Sequence, residues 1–216
     1  MIACHALIFD LDGTLIDSSE GVVDAVNYSL RQVGAAEQPP ERIKRFIGFP
    51  LAQMYPHFTD HPLDELHAHF QKRAAQTIMP STVKLSGVDD TLKTLQSRGF
   101  TLGIATTKIK RHLDAIVDKF GWRPFFSSLV GGDEVTAVKP DPEAFVMSLE
   151  RLGLAPSDAV VVGDTINDVL AAHAVPMRVI AVESPYGGRD ELLASDPDHF
   201  VGSIAEILTL LKAGDA

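Results

Sequence analysis

Two short apolar runs, each ending in an acid, constrain this chain more than any other feature of its 216 residues. Ala6-Leu7-Ile8-Phe9 leads into Asp10-Leu11-Asp12-Gly13-Thr14-Leu15, and Ala159-Val160-Val161-Val162 leads into Gly163-Asp164. A brief unbroken apolar run fits a strand buried on both faces, which is the signature of a parallel sheet covered by helices. Residues just past the last apolar position emerge at the carboxyl edge, where open α/β sheets hold their ligands. Asp10 and Asp12 are therefore expected to point into a site. Two like charges side by side are costly unless a cation or a shared proton compensates them, so the pair predicts a metal, with Mg²⁺ the commonest hard partner for oxygen ligands. Gly13 permits the sharp turn that follows. Asp and Gly also suit a plain surface turn, but the strand directly before them favours a site.

The rest of the pattern alternates. Ser18-Ser19-Glu20 offers N-cap chemistry for a helix that ends near Gly34. Prolines at 39, 40, 50, 56 and 62 divide a stretch of short helical pieces, and Leu63 to Met79 reads as a helix stopped by Pro80. From Ser86 onward helices and strands take turns. Helices are expected at 88–98, 109–120, 142–152 and 166–174, with strands at 100–105, 128–130, 159–162 and 179–182, then a last strand near Phe200 and a closing helix. The expected fold is α/β, a Rossmann-like doubly wound parallel sheet core with an inserted α-helical cap domain. Residues 1–16 and 85–216 would form the core, and residues 17–84 the cap over the sheet's carboxyl edge.

A 45% hydrophobic content supplies a real core. The formal charge of -10 opposes non-specific affinity for nucleic acid or an anionic membrane. Cys4 is the only cysteine, which excludes an intrachain disulfide and fits a reducing compartment; within an apolar strand it is read as packing. No signal-type segment opens the chain and no apolar stretch approaches a membrane span, so a cytoplasmic location is expected and no membrane partner.

Four strand ends bring polar groups to one edge: Asp10 and Asp12; Thr106-Thr107-Lys108; Lys139-Pro140-Asp141-Pro142; and Gly163-Asp164 with Asp168. Together they hold a carboxylate nucleophile, a hydroxyl, a cation and further metal-binding carboxylates. That inventory suits phosphoryl transfer, in which positioning and charge neutralisation do most of the work. Asp164 repeats the strand-end placement of Asp10 and is read as a metal ligand. Asp168, one helical turn later, either orients Lys139 or a metal-bound water or serves as a first-turn acid. His67 and His69 are two apart, without metal-ligand spacing, and are read as solvated. Lys108, Lys110 and Arg111 are either a substrate-facing patch or a basic helix start. Tyr55, Phe58 and Trp122 are expected to pack.

The strings D-L-D-G-T-L at 10–15, T-T-K at 106–108, K-P-D-P at 139–142 and G-D-T-I-N-D at 163–168 resemble, in order, the motifs of the haloacid dehalogenase superfamily of aspartate-nucleophile hydrolases. The resemblance covers essentially the whole chain, including the helical insertion. It implies that Asp10 attacks phosphorus to give an aspartyl-phosphate and that Asp12 protonates the leaving oxygen and then activates water. It also implies that Mg²⁺ sits between Asp10, the Asp12 backbone carbonyl, Asp164 and the phosphate. Thr106 and Thr107 would hold phosphate oxygens, and Lys139 would neutralise the phosphate and keep Asp10 ionised.

Asp12 separates phosphate chemistry from dehalogenation within the superfamily. The D-G-T-L-I-D-S run, Ile47 to Leu51 and the Tyr186 to Leu193 region resemble phosphoglycolate phosphatases and their relatives, although Pro185 and the paired glycines depart from a G-Y-G run common there. The expected activity is a Mg²⁺-dependent phosphatase acting on a small phosphorylated metabolite, closest to phosphoglycolate phosphatase. A β-phosphoglucomutase-like phosphomutase, a pyrophosphatase and a non-catalytic phosphate-responsive binding protein are the alternatives. Specificity is assigned to the cap, where Lys44 and Arg45 are either substrate contacts or a solvated helix end. The sequence does not set the oligomeric state.

Overall fold

The computed structural model describes residues 1–213. In chain order its strands are β1 (Ile2–Cys4), β2 (Ala6–Phe9), β3 (Ile16–Asp17), β4 (Val83–Lys84), β5 (Thr101–Ala105), β6 (Phe126–Val130), β7 (Ala159–Gly163), β8 (Arg178–Val182), β9 (His199–Val201) and β10 (Leu211–Ala213). The helices are α1 (Ser19–Gln32), α2 (Pro40–Lys44), α3 (Leu51–Met54), α4 (Leu63–Ser81), α5 (Val88–Ser97), α6 (Lys110–Lys119), α7 (Glu143–Leu152), α8 (Ile166–Ala174), α9 (Arg189–Ala194) and α10 (Ile207–Leu210).

Six strands form one parallel sheet in the order β6-β5-β2-β7-β8-β9. The chain winds outward from β2 through β5 to β6, returns beside β2 with β7, and winds the other way to β9. This is the doubly wound order, and its reversal opens a crevice between β2 and β7 at the carboxyl edge. Both strands are wholly buried, and β7 is rich in β-branched valine, which suits a pleated surface covered on both sides. Side chains alternate between the two helical layers: Leu7, Phe9, Val160 and Val162 pack in one core cluster, and Ala6, Ile8, Ala159 and Val161 in the other.

The helices between β3 and β4 close around a third apolar cluster, with Val22, Ala25, Val26 and Leu30 of α1 facing Ala74 and Ile78 of α4. The chain leaves and re-enters the sheet region through the two-stranded antiparallel ribbon β3-β4, in which Ile16 pairs with Lys84 and Asp17 with Val83.

Several local expectations are corrected. α4 passes through Pro80 and ends at Ser81. Hydroxyls sustain its last turn: Ser81 Oγ donates to the Thr77 carbonyl at 2.8 Å and Thr82 Oγ1 to the Ile78 carbonyl at 2.7 Å. The Ser18 side chain does not cap α1; its hydroxyl turns to the Asp12 carboxylate instead. The closing helix is a single turn, α10, because the chain then extends as β10 to pair with β1. Cys4 is buried in β1, and Tyr55 and Trp122 are buried as expected. Among the described residues no helix is long and apolar enough to cross a membrane.

Candidate active site

In the sheet register, Phe9 lies opposite Ile104 on one side and Val162 on the other. Asp10 follows Phe9 directly and its amide still donates to the Val162 carbonyl at 2.8 Å, whereas Thr106 and Asp164 come two positions past Ile104 and Val162, beyond Ala105 and Gly163. Asp10, Thr106 and Asp164 are thus delivered to one place by three adjacent strands, and all three are buried. Lys139 arrives from the segment after β6. Its ammonium donates to Asp10 Oδ1 at 2.6 Å and to Asp168 Oδ1 at 2.5 Å. Asp168 also accepts from the Thr165 amide at 3.1 Å and the Thr165 hydroxyl at 2.7 Å, so it orients the lysine and caps α8 at once.

The two strand-end acids differ in their surroundings. Burial pushes the Asp10 carboxyl up to about 7, against the pull of Lys139 and with a further push from Asp168 and Asp12. Burial, then Asp10 and Asp168, hold Asp164 well above the usual carboxylate range. Thr14 Oγ1 donates to Asp164 Oδ1 at 3.0 Å. Asp164 Oδ2 is buried with no hydrogen-bond partner among the described residues, and the Ser184 and Thr14 hydroxyls only partly offset the upward push on the carboxyl. Burial alone would lower Lys139, yet the carboxylates of Asp10 and Asp168 outweigh it and keep its pKa above the ordinary lysine value.

Asp10, Asp164 and Asp168 each offer an oxygen within 4.8 Å of the others. Four buried carboxylates, counting Asp12, face the ammonium groups of Lys108 and Lys139. With all four ionised, the carboxylates exceed the two ammoniums by two negative charges; that uncompensated charge, which burial penalises, and the orphaned oxygen of Asp164 fit a divalent cation held by oxygen ligands. Gly13 belongs to this arrangement. Its φ is +84°, and a Cβ there would lie 2.0 Å from Asp164 Oδ2.

Asp12 sits one step further along the loop. Its Oδ1 accepts from the Ser18 hydroxyl, and its Oδ2 lies 3.1 Å from the Lys108 ammonium, whose side chain is only 9% exposed. Lys108 is therefore a half-buried partner of the second acid. Thr106 keeps its hydroxyl oxygen on the Lys108 amide at 3.2 Å, which shapes the turn into α6. Thr107 Oγ1 donates to the Gly48 carbonyl at 3.3 Å, joining the core to the helical block.

Other sequence candidates pair away from this centre, although Arg45 lines a cavity that Asp164 also lines. Arg45 pairs with Glu191 at 2.8 Å across the same divide, and Lys44 with Glu41 at 3.0 Å. Lys110 pairs with Asp114, and Arg111 reaches Gln71. His67 is exposed beside Gln71, and His69 stands edge-on to Tyr28. Thr14, Ser18 and Tyr186 are not among the site residues that the sequence suggests. The Tyr186 hydroxyl donates to Asp17 at 3.2 Å and accepts from the Ser18 amide at 3.3 Å, beside the β3-β4 ribbon.

A doubly wound sheet that gathers strand-end carboxylates, a buried lysine and room for a cation at its switch point defines an α/β protein of the hydrolase type. The family model described as haloacid dehalogenase-like hydrolase matches residues 7–182, and the chain belongs to that family. It is 33% identical, over 96% of both chains, to a phosphoglycolate phosphatase of Psychrobacter arcticus. It is 32% identical, over 97% of both, to the pyrophosphatase PpaX of Bacillus pumilus. Among solved structures, a haloacid dehalogenase-like hydrolase from Bacteroides fragilis superposes with a TM-score of 0.90 at 26% identity, covering 94% of this chain and 99% of its own.

Proposed function

We propose that this protein is a Mg²⁺-dependent phosphatase that hydrolyses a small phosphate monoester through an aspartyl-phosphate on Asp10. The observation that carries the reading is the Lys139 ammonium, 2.6 Å from a buried strand-end carboxylate beside the unpartnered Asp164 oxygen. Asp10 is an oxygen nucleophile already oriented by an ammonium, as covalent catalysis requires.

In the first half-reaction an Asp10 oxygen bonds to phosphorus, the ester P–O bond breaks, and Asp12 gives its proton to the departing oxygen. In the second, Asp12 takes a proton from water, the water oxygen bonds to phosphorus, and the Asp10–phosphorus bond breaks. A positioned acid–base group of this kind contributes about 10²–10⁴-fold. Ser18 and Lys108 hold the Asp12 carboxylate. Lys139 offsets the charge of Asp10 and of the phosphoryl group, with Asp168 fixing its position. Thr106, Thr107 and the amides that open α6 are assigned to the phosphate oxygens. Asp10, Asp164 and the Asp12 backbone carbonyl would hold Mg²⁺, which when bound reduces repulsion between the anionic nucleophile and the anionic ester.

The helices of residues 17–84 act in this reading as a cap on the core of residues 1–16 and 85–213, closing through the Thr107–Gly48 and Arg45–Glu191 contacts to exclude water from the transfer; residues 214–216, counted with the core in the sequence, lie outside the described residues. Relatives named for phosphoglycolate and for pyrophosphate share the phosphate and differ in the rest of the substrate, which makes phosphoglycolate the reference ester. The test is phosphate release, with Mg²⁺, from a panel of phosphoglycolate, pyrophosphate, sugar phosphates and nucleotides. Release supports the reading. Rearrangement of a sugar phosphate without free phosphate would make the protein a mutase, and inertness towards every ester with tight binding to another protein would make it a binding module.

A further inference from the structure

Beside Asp12 and Lys108 a cavity of about 330 Å³ opens between the helical block and the core. It lies within the range of pockets that take whole small molecules, about 300–1,000 Å³. Its walls come mostly from the helical block and are largely apolar, with Val22, Phe46, Leu51, Met54, Phe70 and Ile78 facing it and His67 and Gln71 of α4 as polar exceptions. Its floor comes from the core, where Asp12 and Lys108 meet it.

The polar groups at its edge supply little charge. The Lys108 ammonium is already paired with Asp12 at 3.1 Å. Burial, with help from the cations Lys108 and Arg111, holds the His112 imidazole below its ordinary value and so favours its neutral form. A second cavity, on the Asp164 side, is different in character and brings Arg42 and Arg45 to its lining.

We propose, resting on the phosphatase reading, that the apolar cavity receives the leaving group, and that the preferred substrate is the phosphate monoester of an apolar alcohol rather than of a hydroxy acid. Asp12, the acid assigned to the departing oxygen, lies at the cavity's floor, so the alcohol carbon chain extends from that oxygen into the cavity. A chain seated there removes apolar wall from water, and each buried methylene is worth about a threefold to fourfold gain. A glycolate carboxylate in the same place would be desolvated against mostly apolar side chains, and the one ammonium lining the cavity, Lys108, is already paired, which is unfavourable.

The test is the chain-length dependence of kcat/KM for ethyl, n-butyl and n-hexyl phosphate with Mg²⁺, measured beside phosphoglycolate and pyrophosphate. These alkyl esters share nearly the same leaving-group chemistry, so a trend reports the cavity. The expected result is a rise of about threefold to fourfold per methylene, with hexyl phosphate at least about tenfold better than phosphoglycolate. Ala52 lines the cavity from an exposed position. Ala52→Trp is expected to fill it and flatten the chain-length slope. A flat alkyl series in the unaltered protein, or phosphoglycolate or pyrophosphate as the best substrate, overturns the inference while leaving the phosphatase reading intact. Absence of phosphate release from every ester overturns both.

Discussion

Lys139 and Asp10 are 129 residues apart in the chain and 2.6 Å apart in space, with both side chains buried. The lysine also holds Asp168, so one ammonium compensates two carboxylates. Removing it leaves both carboxylates buried without a counter-charge, which costs about 3–5 kcal/mol. Lys139→Met is expected to lower the unfolding free energy by that amount in urea titrations and to reduce kcat by about 10²–10³. Undiminished kcat would remove Lys139 from the site's chemistry.

Asp164 brings a buried oxygen with no protein partner. Mg²⁺ at a hundredfold excess over its Kd should stabilise the protein by about 2.7 kcal/mol, a Tm rise of about 5–10 °C for a chain of this size. Asp164→Ala is expected to abolish the rise. Because it also deletes an uncompensated buried carboxylate, the variant without metal should melt no lower than the unaltered protein without metal. An unchanged Mg²⁺ response in the variant would separate the cation from Asp164.

Gly13 is the backbone position most tightly bound to that acid. With φ at +84° and a hypothetical Cβ 2.0 Å from Asp164 Oδ2, an alanine strains the loop and displaces the carboxylate. Gly13→Ala is expected to weaken Mg²⁺ affinity by about tenfold to a hundredfold, read from the Mg²⁺ dependence of the Tm shift.

These groups were legible in the sequence to the extent that a strand announces itself. Ala6–Phe9 and Ala159–Val162 are unbroken apolar runs, so Asp10 and Asp164 followed from periodicity alone. Lys139 had no such marker and was recovered through its motif. The partners of Asp12 were harder. Ser18 looked like a helix cap, because local hydroxyl chemistry is identical until the tertiary fold offers a carboxylate. Lys108 reads from sequence either as a substrate-facing cation or as a basic helix start, and the fold half-buries it against Asp12. The pairs β3-β4 and β1-β10 went unread because two or three residues carry no period, and Pro80 misled because hydroxyls of later residues rescued the turn.

Away from the site, Asp89 accepts from the buried Trp122 indole N–H at 2.8 Å and pairs with Lys84. The Lys84 hydrogen bond, opposed by slight burial and aided by Trp122, holds the Asp89 carboxyl below its ordinary value. A carboxyl lowered in the folded state contributes stability above the ordinary carboxylate range and loses it as pH falls through the folded value. Asp89→Ala should cost about 1–3 kcal/mol at pH 7 by leaving the indole donor unpaired. The gap between the two proteins should narrow as the pH falls below the ordinary carboxylate range. A gap independent of pH would remove the ionised carboxylate from the effect.

The account turns on a covalent bond between Asp10 and the phosphoryl group. Acid quenching during turnover of an accepted ester with Mg²⁺, followed by peptide mass mapping, locates that bond directly. The account predicts a phosphoryl group on Asp10, absent in Asp10→Asn, which should fold but release no phosphate. A phosphoryl group on any other residue, or phosphate release by Asp10→Asn at the unaltered rate, would contradict it.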